Sequence, residues 1–223
     1  ARERGVPLRA HVSEQPREND ESRAAYGRTP VEVLRDAGAL GGDFTAVHAT
    51  HLTDTDIAAL GGSHVCLCAT TERDLADGIG PIPALREAGV GLCLGSDSHA
   101  VIDPFEETRA IELDERLGSR RRGTFTGEEL CAVMTTGGAS ALGLPNAGLA
   151  MGAPADFMEI DTSSVRLAGH DPAALVDALV YAAAPADVRT VVVAGVERVR
   201  DGSHVSIETA TELDRAIRQV MGT

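Results

Sequence analysis

Four side chains that can bind a metal ion or move a proton lie at or near the ends of short apolar segments. His11 and Glu14 lie near the end of the first segment, His48 closes the second, and Asp97 closes a later one. Imidazole and carboxylate groups are ligands of zinc, and a catalytic zinc keeps one position open for water. Bound zinc lowers the pKa of water to about 7, which supplies a nucleophile at neutral pH. The residue types therefore indicate metal-assisted hydrolysis, provided that the fold brings them together.

Each residue alone also fits an ordinary structural role. A histidine at a strand end usually makes a structural hydrogen bond, Glu14 fits a solvated loop, and Asp97 within Ser-Asp-Ser fits a turn. The segment 90–97 alternates large apolar residues with small ones, so Asp97 falls on the face where small residues leave room. The four residues support a shared site only if their strands end at one edge of a sheet.

Apolar runs and turn signals predict alternating strands and helices over the first 145 residues. The predicted strands are 6–13, 44–49, 65–69 and 90–95, and the predicted helices lie within 19–37, 53–60, 81–88, 104–117 and 126–142. Such alternation predicts an α/β fold with a parallel sheet and right-handed crossovers. Four units are too few for a (β/α)8 barrel, which needs about 250 residues. The sequence alone is therefore compatible with two architectures, an open sheet or half of a barrel.

The segment after residue 145 has a different character. Short apolar runs at 155–160 and 190–194 predict small antiparallel strands, and helices are predicted at 171–183 and 208–221. These elements predict a smaller β unit that follows the α/β unit.

Composition limits the partners. The chain has 223 residues and a formal net charge of −14, which argues against nucleic acid and anionic membranes as partners because phosphates would be repelled. No segment reaches the roughly 18 apolar residues of a membrane span. Four cysteines without paired metal motifs predict buried thiols and a reducing, cytoplasmic compartment. We therefore expect a small-molecule substrate. The composition is also compatible with a homodimer.

Three motifs resemble those of the amidohydrolase superfamily, in its deaminase-like branch with one metal ion. They are HVSEQ at 11–15, VHATH at 47–51 and LGSDSH at 94–99. The longer run LCATTERDLADGIG at 67–80 is similar to the formimidoylglutamate deiminase family within that superfamily. The resemblance extends over nearly all of the chain.

The resemblance implies one zinc or other divalent ion per site, with His11 and Asp97 as ligands. It also implies that Glu14 shuttles protons and that His48 polarises the substrate or holds the attacking water. Gln15 and a loop formed by Thr71-Glu72-Arg73 would line the substrate pocket. The implied reaction is the hydrolysis of N-formimino-L-glutamate to N-formyl-L-glutamate and ammonia in histidine degradation. Asp97 would take a proton from water and Glu14 would return one to the leaving nitrogen, a division that fits general acid–base catalysis.

The resemblance also implies a domain organisation. Residues 1–145 would be the second half of a (β/α)8 TIM barrel, 146–205 part of a small β-sandwich domain with a packed helix, and 206–223 a C-terminal helix. The family has a His-x-His pair after its first barrel strand, and this sequence contains none. We therefore expect a C-terminal part of a longer enzyme that binds zinc weakly, turns over poorly and exposes a sheet edge at 6–12.

Two alternative functions stay open. One is a purine-type or other deaminase of the same superfamily, with the same metal residues and a different pocket. The other is a non-catalytic half-barrel that serves as a binding module. The Gly-rich segment 136–140 lacks the lysine of a P-loop, and neither Ser96 nor Ser98 lies in a GxSxG elbow, so nucleotide binding and serine hydrolysis receive little support.

Overall fold

The computed structural model describes residues 1–98, 101–144 and 148–222. His99 of the 94–99 motif lies outside the described residues, as does the predicted domain boundary at 145 and 146.

The first unit is built on a four-stranded parallel sheet. Its strands are β1 (Leu8–Val12), β2 (Phe44–His48), β3 (His64–Leu67) and β4 (Gly91–Leu94). The strands lie in sequence order, and each neighbouring pair is parallel. The predicted parallel sheet of an α/β fold is confirmed, so the carboxyl ends of all four strands lie at one edge.

The two faces of this sheet carry different side chains. Val12, Val65 and Leu92 contribute to the main hydrophobic core, whereas Cys66 and Cys93 belong to a separate buried cluster. The period of two predicted for β4 and the predicted burial of these thiols are therefore confirmed.

Gly95, which leads from β4 towards Asp97, is tightly enclosed by thiols. A Cβ atom at this position would lie 2.8 Å from the Sγ atoms of Cys66 and Cys68. The backbone therefore needs glycine here if the sulfur atoms are to keep their positions.

Ten α-helices occur in the described ranges. They are α1 (Pro16–Tyr26), α2 (Pro30–Asp36), α3 (Asp54–Ala59), α4 (Ala69–Asp74), α5 (Ile82–Glu87), α6 (Pro104–Ser119), α7 (Gly127–Ala132), α8 (Gly138–Ala141), α9 (Leu175–Ala182) and α10 (Thr209–Met221). Short 3-10 turns lie at Arg2–Arg4, Pro172–Ala174 and Pro185–Asp187, and a π-helical turn at Val133–Gly137 joins α7 to α8.

Local capping explains where several helices begin. The Thr53 hydroxyl accepts a hydrogen bond from the backbone N–H of Asp56, and the Asp56 carboxylate accepts from that of Thr53. The predicted start of α3 is confirmed. The helix predicted to start near Pro30 is confirmed as α2. The polar segment before it forms a further helix, α1, which was not predicted and which ends where Gly27 adopts φ 65°.

Two other boundaries differ from the prediction. The predicted strand 65–69 ends at Leu67, because the backbone N–H of Cys68 is bound by Glu72 at the start of α4. The predicted helix 126–142 contains the π turn, where Gly137 packs closely against β4. A Cβ on Gly137 would lie 2.2 Å from the carbonyl oxygen of Leu92.

The second unit contains an antiparallel sheet with the order β5-β6-β7-β8. Its strands are β5 (Phe157–Ile160), β6 (Val188–Val193), β7 (Val196–Arg200) and β8 (Ser203–His204). The two predicted strand segments are confirmed, whereas β7 and β8 were not predicted. Asp201-Gly202, both at positive φ, is a typical two-residue hairpin signal that marks the β7–β8 turn.

The surface of the first unit includes an exposed sheet edge. Among the described residues β1 pairs only with β2, and Val6 and Leu8 are exposed beside this edge. No helix in the part of the chain that the structure describes is long and apolar enough to cross a membrane.

An ion pair between exposed Arg166 and buried Asp187 ties the segment before α9 to the residue that precedes β6. The Arg166 guanidinium donates to both carboxylate oxygens of Asp187 at 2.7 and 2.8 Å, and the Ala184 backbone N–H donates to the same carboxylate. The Asp187 side chain is buried. These donors, Arg166 foremost, hold the pKa of Asp187 well below its usual range.

Asp187→Asn is expected to lower the free energy of unfolding at pH 7 by about 2–3 kcal/mol, since charge-assisted hydrogen bonds are lost. A carboxyl group whose pKa is lowered in the folded state stabilises the fold at pH values above its unfolded pKa of about 4. This contribution is lost progressively as the pH falls below that value. Urea unfolding should therefore show that the difference in free energy of unfolding between the variant and the parent chain becomes smaller from pH 7 towards pH 3. Asp201→Asn, whose partner Arg189 is half-exposed, should change little. Equal effects of both substitutions would contradict the prediction.

Candidate functional site

The carboxyl edge of the parallel sheet brings three of the predicted residues into contact. His11 lies in β1, His48 ends β2, and Asp97 follows β4. The His11 Nε2 atom is 3.3 Å from Asp97 Oδ1, and the His48 Nε2 atom is 3.8 Å from Asp97 Oδ2. The two imidazole rings are 5.2 Å apart between centroids. Residues that are 86 positions apart in the sequence are therefore neighbours in the fold.

These three residues form a group that fits a divalent ion. One ligand atom from each of His11, His48 and Asp97 lies within 4.8 Å of the others. His48 is fully buried, yet its Nε2 atom has no hydrogen-bond partner among the described residues. Buried polar atoms nearly always have a partner, so this nitrogen requires an ion, a water molecule or a ligand. Two imidazoles and a carboxylate are a donor set that suits zinc.

Glu14 lies beside this group. Its Oε1 atom is 3.7 Å from His48 Nε2, a separation that leaves the two groups without a direct hydrogen bond. Burial raises the pKa of the Glu14 carboxyl, and the charges of Asp77 and Asp97 act in the same direction, which together outweigh the opposing histidines. A carboxyl with a raised pKa is better suited to carry a proton near neutral pH.

Glu18, in the first turn of α1, fixes the loop that carries Glu14. The backbone N–H groups of Ser13 and Glu14 donate to its two carboxylate oxygens, both at 2.9 Å. Glu18 was not among the predicted site residues. Its signal is weak because Gln15, which precedes the helix, is not one of the residues that favour a helix N-cap.

The turn that carries Asp97 is held by α4. The backbone N–H of Ser98 lies 3.2 Å from Thr71 Oγ1, to which it donates, and the two hydroxyl oxygens are 3.1 Å apart. Thr71 is fully buried. The position of Asp97 therefore depends on a residue that lies far from it in sequence.

The backbone is strained at several residues that form or flank the candidate site. Ser13, His48, Ala49 and Asp97 have φ values of 53°, 69°, 54° and 35°. Residues other than glycine rarely adopt positive φ, and such positions cluster at functional sites. These strained residues lie at the carboxyl edge of the parallel sheet, where the candidate metal-binding and proton-transferring side chains also lie.

Gln15 has a different environment from the other predicted residues. Its side-chain amide donates to Asp77 Oδ1 at 2.9 Å. Asp77 is buried, and its Oδ2 atom has no partner within the described ranges. His51, in the loop after β2, has its Nε2 atom 2.7 Å from the Asp77 carbonyl oxygen. The substrate-binding role of Gln15 stays a prediction.

His64 and His170 lie outside the candidate site. His64 Nε2 is 3.0 Å from the Ser140 hydroxyl, and His170 Nδ1 is 2.9 Å from the Leu167 carbonyl oxygen. Each histidine makes a hydrogen bond away from the candidate site, which is typical of structural residues.

Comparison with known proteins gives consistent results. The sequence model of the amidohydrolase family matches residues 1–198. The formimidoylglutamate deiminase of Pseudomonas aeruginosa is 36% identical over 97% of this chain and 49% of its own length. A 5-methylthioadenosine/S-adenosylhomocysteine deaminase of Halobacterium salinarum is 31% identical over 98% of this chain and 52% of its own.

Two solved structures have folds that are similar to that of this chain. An amidohydrolase from Brucella melitensis superposes with a TM-score of 0.86 and 32% identity, over 97% of this chain and 49% of that one. An adenosine deaminase from Xanthomonas campestris with bound zinc superposes with a TM-score of 0.86 and 28% identity, over 95% of this chain and 49% of that one. The chain thus spans about half the length of the relatives that it matches.

Proposed function

The chain belongs to the amidohydrolase family, and from that premise we propose that it carries part of the active site of a metal-dependent formimidoylglutamate deiminase. The observation that carries the proposal is the convergence of His11, His48, Asp97 and Glu14 around the unpartnered Nε2 atom of His48. The proposed reaction is the hydrolysis of N-formimino-L-glutamate to N-formyl-L-glutamate and ammonia.

We propose the corresponding architecture as well. The parallel sheet and its helices would form half of a (β/α)8 barrel over residues 1–145, with the candidate site at the carboxyl ends of the strands. Residues 146–205 would be part of a small β domain, and 206–223 would form a separate C-terminal helix. The parallel order of β1 to β4 and the antiparallel sheet that follows support this division.

His11 and Asp97 are the proposed metal ligands, with His48 beside them. A zinc ion bound there would act as a Lewis acid that makes water more acidic. The Asp97 carboxylate would accept the proton that the attacking water loses. The Nε2 atom of His48, which faces Asp97 and Glu14, would orient that water or the substrate.

Glu14 is the proposed acid. Attack of water on the formimino carbon forms a C–O bond, and departure of ammonia breaks a C–N bond. The leaving nitrogen needs a proton, which a carboxyl with a raised pKa can hold and deliver. Water and the amidine together supply all the atoms of the formyl product and ammonia.

The charge of the site favours a cationic group at the reacting end of the substrate. Burial is the main cause that raises the pKa of the Glu14 carboxyl, and Asp77 and Asp97 lie close enough for their charges to raise it further. Acidic walls attract cations and raise their local concentration. The formimino group of N-formimino-L-glutamate is an amidine and is cationic at neutral pH, whereas an adenine base is neutral. These carboxylates therefore support the amidine over a purine as the group that reacts.

Ammonia release tests the proposal. The purified 223-residue chain, loaded with Zn²⁺, is expected to hydrolyse N-formimino-L-glutamate slowly and faster than 5-methylthioadenosine at the same concentration. Removing zinc with a chelator should stop the release, and adding zinc should restore it. A preference for 5-methylthioadenosine would support the second candidate, a purine-type deaminase. Zinc binding without hydrolysis of either compound would support a non-catalytic binding module and contradict the proposal.

A further inference from the structure

Glu72 is a buried carboxylate that lies behind the candidate site. It belongs to the first turn of α4, the helix that starts directly after β3. Its Oε1 atom accepts a hydrogen bond from the backbone N–H of Cys68 at 3.1 Å. This contact ties the side chain back to the strand end, so the position of the carboxylate is fixed by the local chain.

The same oxygen atom lies 3.3 Å from Nδ1 of His48. An ionised carboxylate can only accept hydrogen bonds, so Nδ1 must carry the proton in this contact. A neutral imidazole has one N–H, which leaves Nε2 with a lone pair. That nitrogen is 3.7 Å from Glu14 and 3.8 Å from Asp97. The unpartnered Nε2 of His48 is thus a consequence of what Glu72 does at the other side of the ring.

We propose that Glu72 is a positioning residue, which holds His48 in the Nδ1–H tautomer with the Nε2 lone pair facing Glu14 and Asp97. Its significance for catalysis rests on the function proposed above, whereas the tautomer itself does not. A ring held in this way offers a lone pair to a metal ion or to the proton of a water molecule, without any rearrangement when these arrive.

Glu107 provides a matched comparison within the same fold. It is also buried, and it accepts hydrogen bonds from the backbone N–H and the hydroxyl of Thr70, which is likewise in α4. Both glutamates therefore anchor α4, but only Glu72 contacts a residue of the candidate site. Substitution of Glu107 separates loss of helix anchoring from loss of the contact with His48.

The tautomer can be measured directly by NMR on the full 223-residue chain without metal. The protein is labelled with ¹⁵N-histidine and studied at a pH at which the His48 ring is neutral, and His48→Gln identifies its signals. We expect the parent chain to carry the proton on Nδ1. Glu72→Gln keeps an acceptor oxygen and should preserve this tautomer, whereas Glu72→Ala should shift the population towards Nε2–H. Glu107→Gln should leave the His48 signals unchanged.

Three outcomes would overturn the proposal: an Nε2–H tautomer in the parent chain, an unchanged tautomer in Glu72→Ala, or the same change in Glu107→Gln. The first applies even if Glu72→Ala fails to fold. Because the spectra need neither zinc nor substrate, their result is independent of whether the chain hydrolyses N-formimino-L-glutamate.

Discussion

Replacing Glu14 with glutamine is expected to slow zinc-dependent release of ammonia from N-formimino-L-glutamate by about 100- to 10,000-fold, the usual contribution of a positioned general acid. Glutamine has nearly the same shape, so the loop held by Glu18 should keep its conformation. The amide cannot deliver a proton to the leaving nitrogen. The measurement is the initial rate of ammonia release by the purified chain with saturating zinc and substrate.

Two controls separate proton transfer from other causes. Glu21→Gln makes the same chemical change on the exposed face of α1, where its only ion pair in the described residues is with Arg17, and should leave the rate unchanged. Zinc affinity of Glu14→Gln should remain close to that of the parent chain, because Glu14 is not a proposed ligand. A rate within threefold of the parent would exclude Glu14 as the acid.

Much of the site could be predicted because its signals are local. The alternation of large and small residues in β4 places Leu92 in the main core and Cys93 in the separate cluster, and Asp97 lies in the turn that follows the strand. Alternating strands and helices require parallel strands, and parallel strands place His11, His48 and Asp97 at one edge. Neither inference depends on the details of side-chain packing.

The supporting contacts could not be predicted because they depend on the folded chain. Residues 71–73, expected as a loop that lines the substrate pocket, lie in α4, where Thr71 and Glu72 are buried. Glu72 is 24 residues from His48, and no spacing rule connects a carboxylate in one helix to the end of a non-adjacent segment. Glu18 acts through backbone N–H groups, which are present at almost every position and leave no trace in the sequence. Buried acids of this kind become visible only when their partners are placed beside them.

The structure also shows how the strained strand ends are held. Glu18, in the first turn of α1, binds the backbone of Ser13 and Glu14. Glu72 contacts His48, and Thr71 beside it binds the backbone next to Asp97. Side chains near the starts of two helices thus position all the predicted catalytic groups. Since positive φ at such residues is unfavourable, these contacts compensate for the strain and keep the site in one arrangement.

Replacing Asp97 with asparagine is expected to weaken zinc binding by more than about 100-fold, since even residues that only orient a metal ligand contribute about 10- to 100-fold. The substitution removes the negative charge that faces both His11 and His48 and leaves a neutral amide. The parent chain should bind one zinc ion. Its binding free energy should be smaller than the roughly 10–16 kcal/mol of structural zinc sites. The reason is that the described residues offer only one carboxylate and two imidazoles, and that His11 is largely exposed.

Competition with a chromophoric chelator at pH 7.5 can measure both affinities. Asp20→Asn, on the exposed surface of α1, makes the same change in net charge and should leave zinc affinity within about twofold of the parent, because exposed charges are screened by solvent and salt. Equal losses in the two variants would assign the effect to overall charge. Retention of parental affinity by Asp97→Asn would show that the ion binds elsewhere. A selective loss in Asp97→Asn connects the metal to the turn after β4, where the carboxylate meets both histidines.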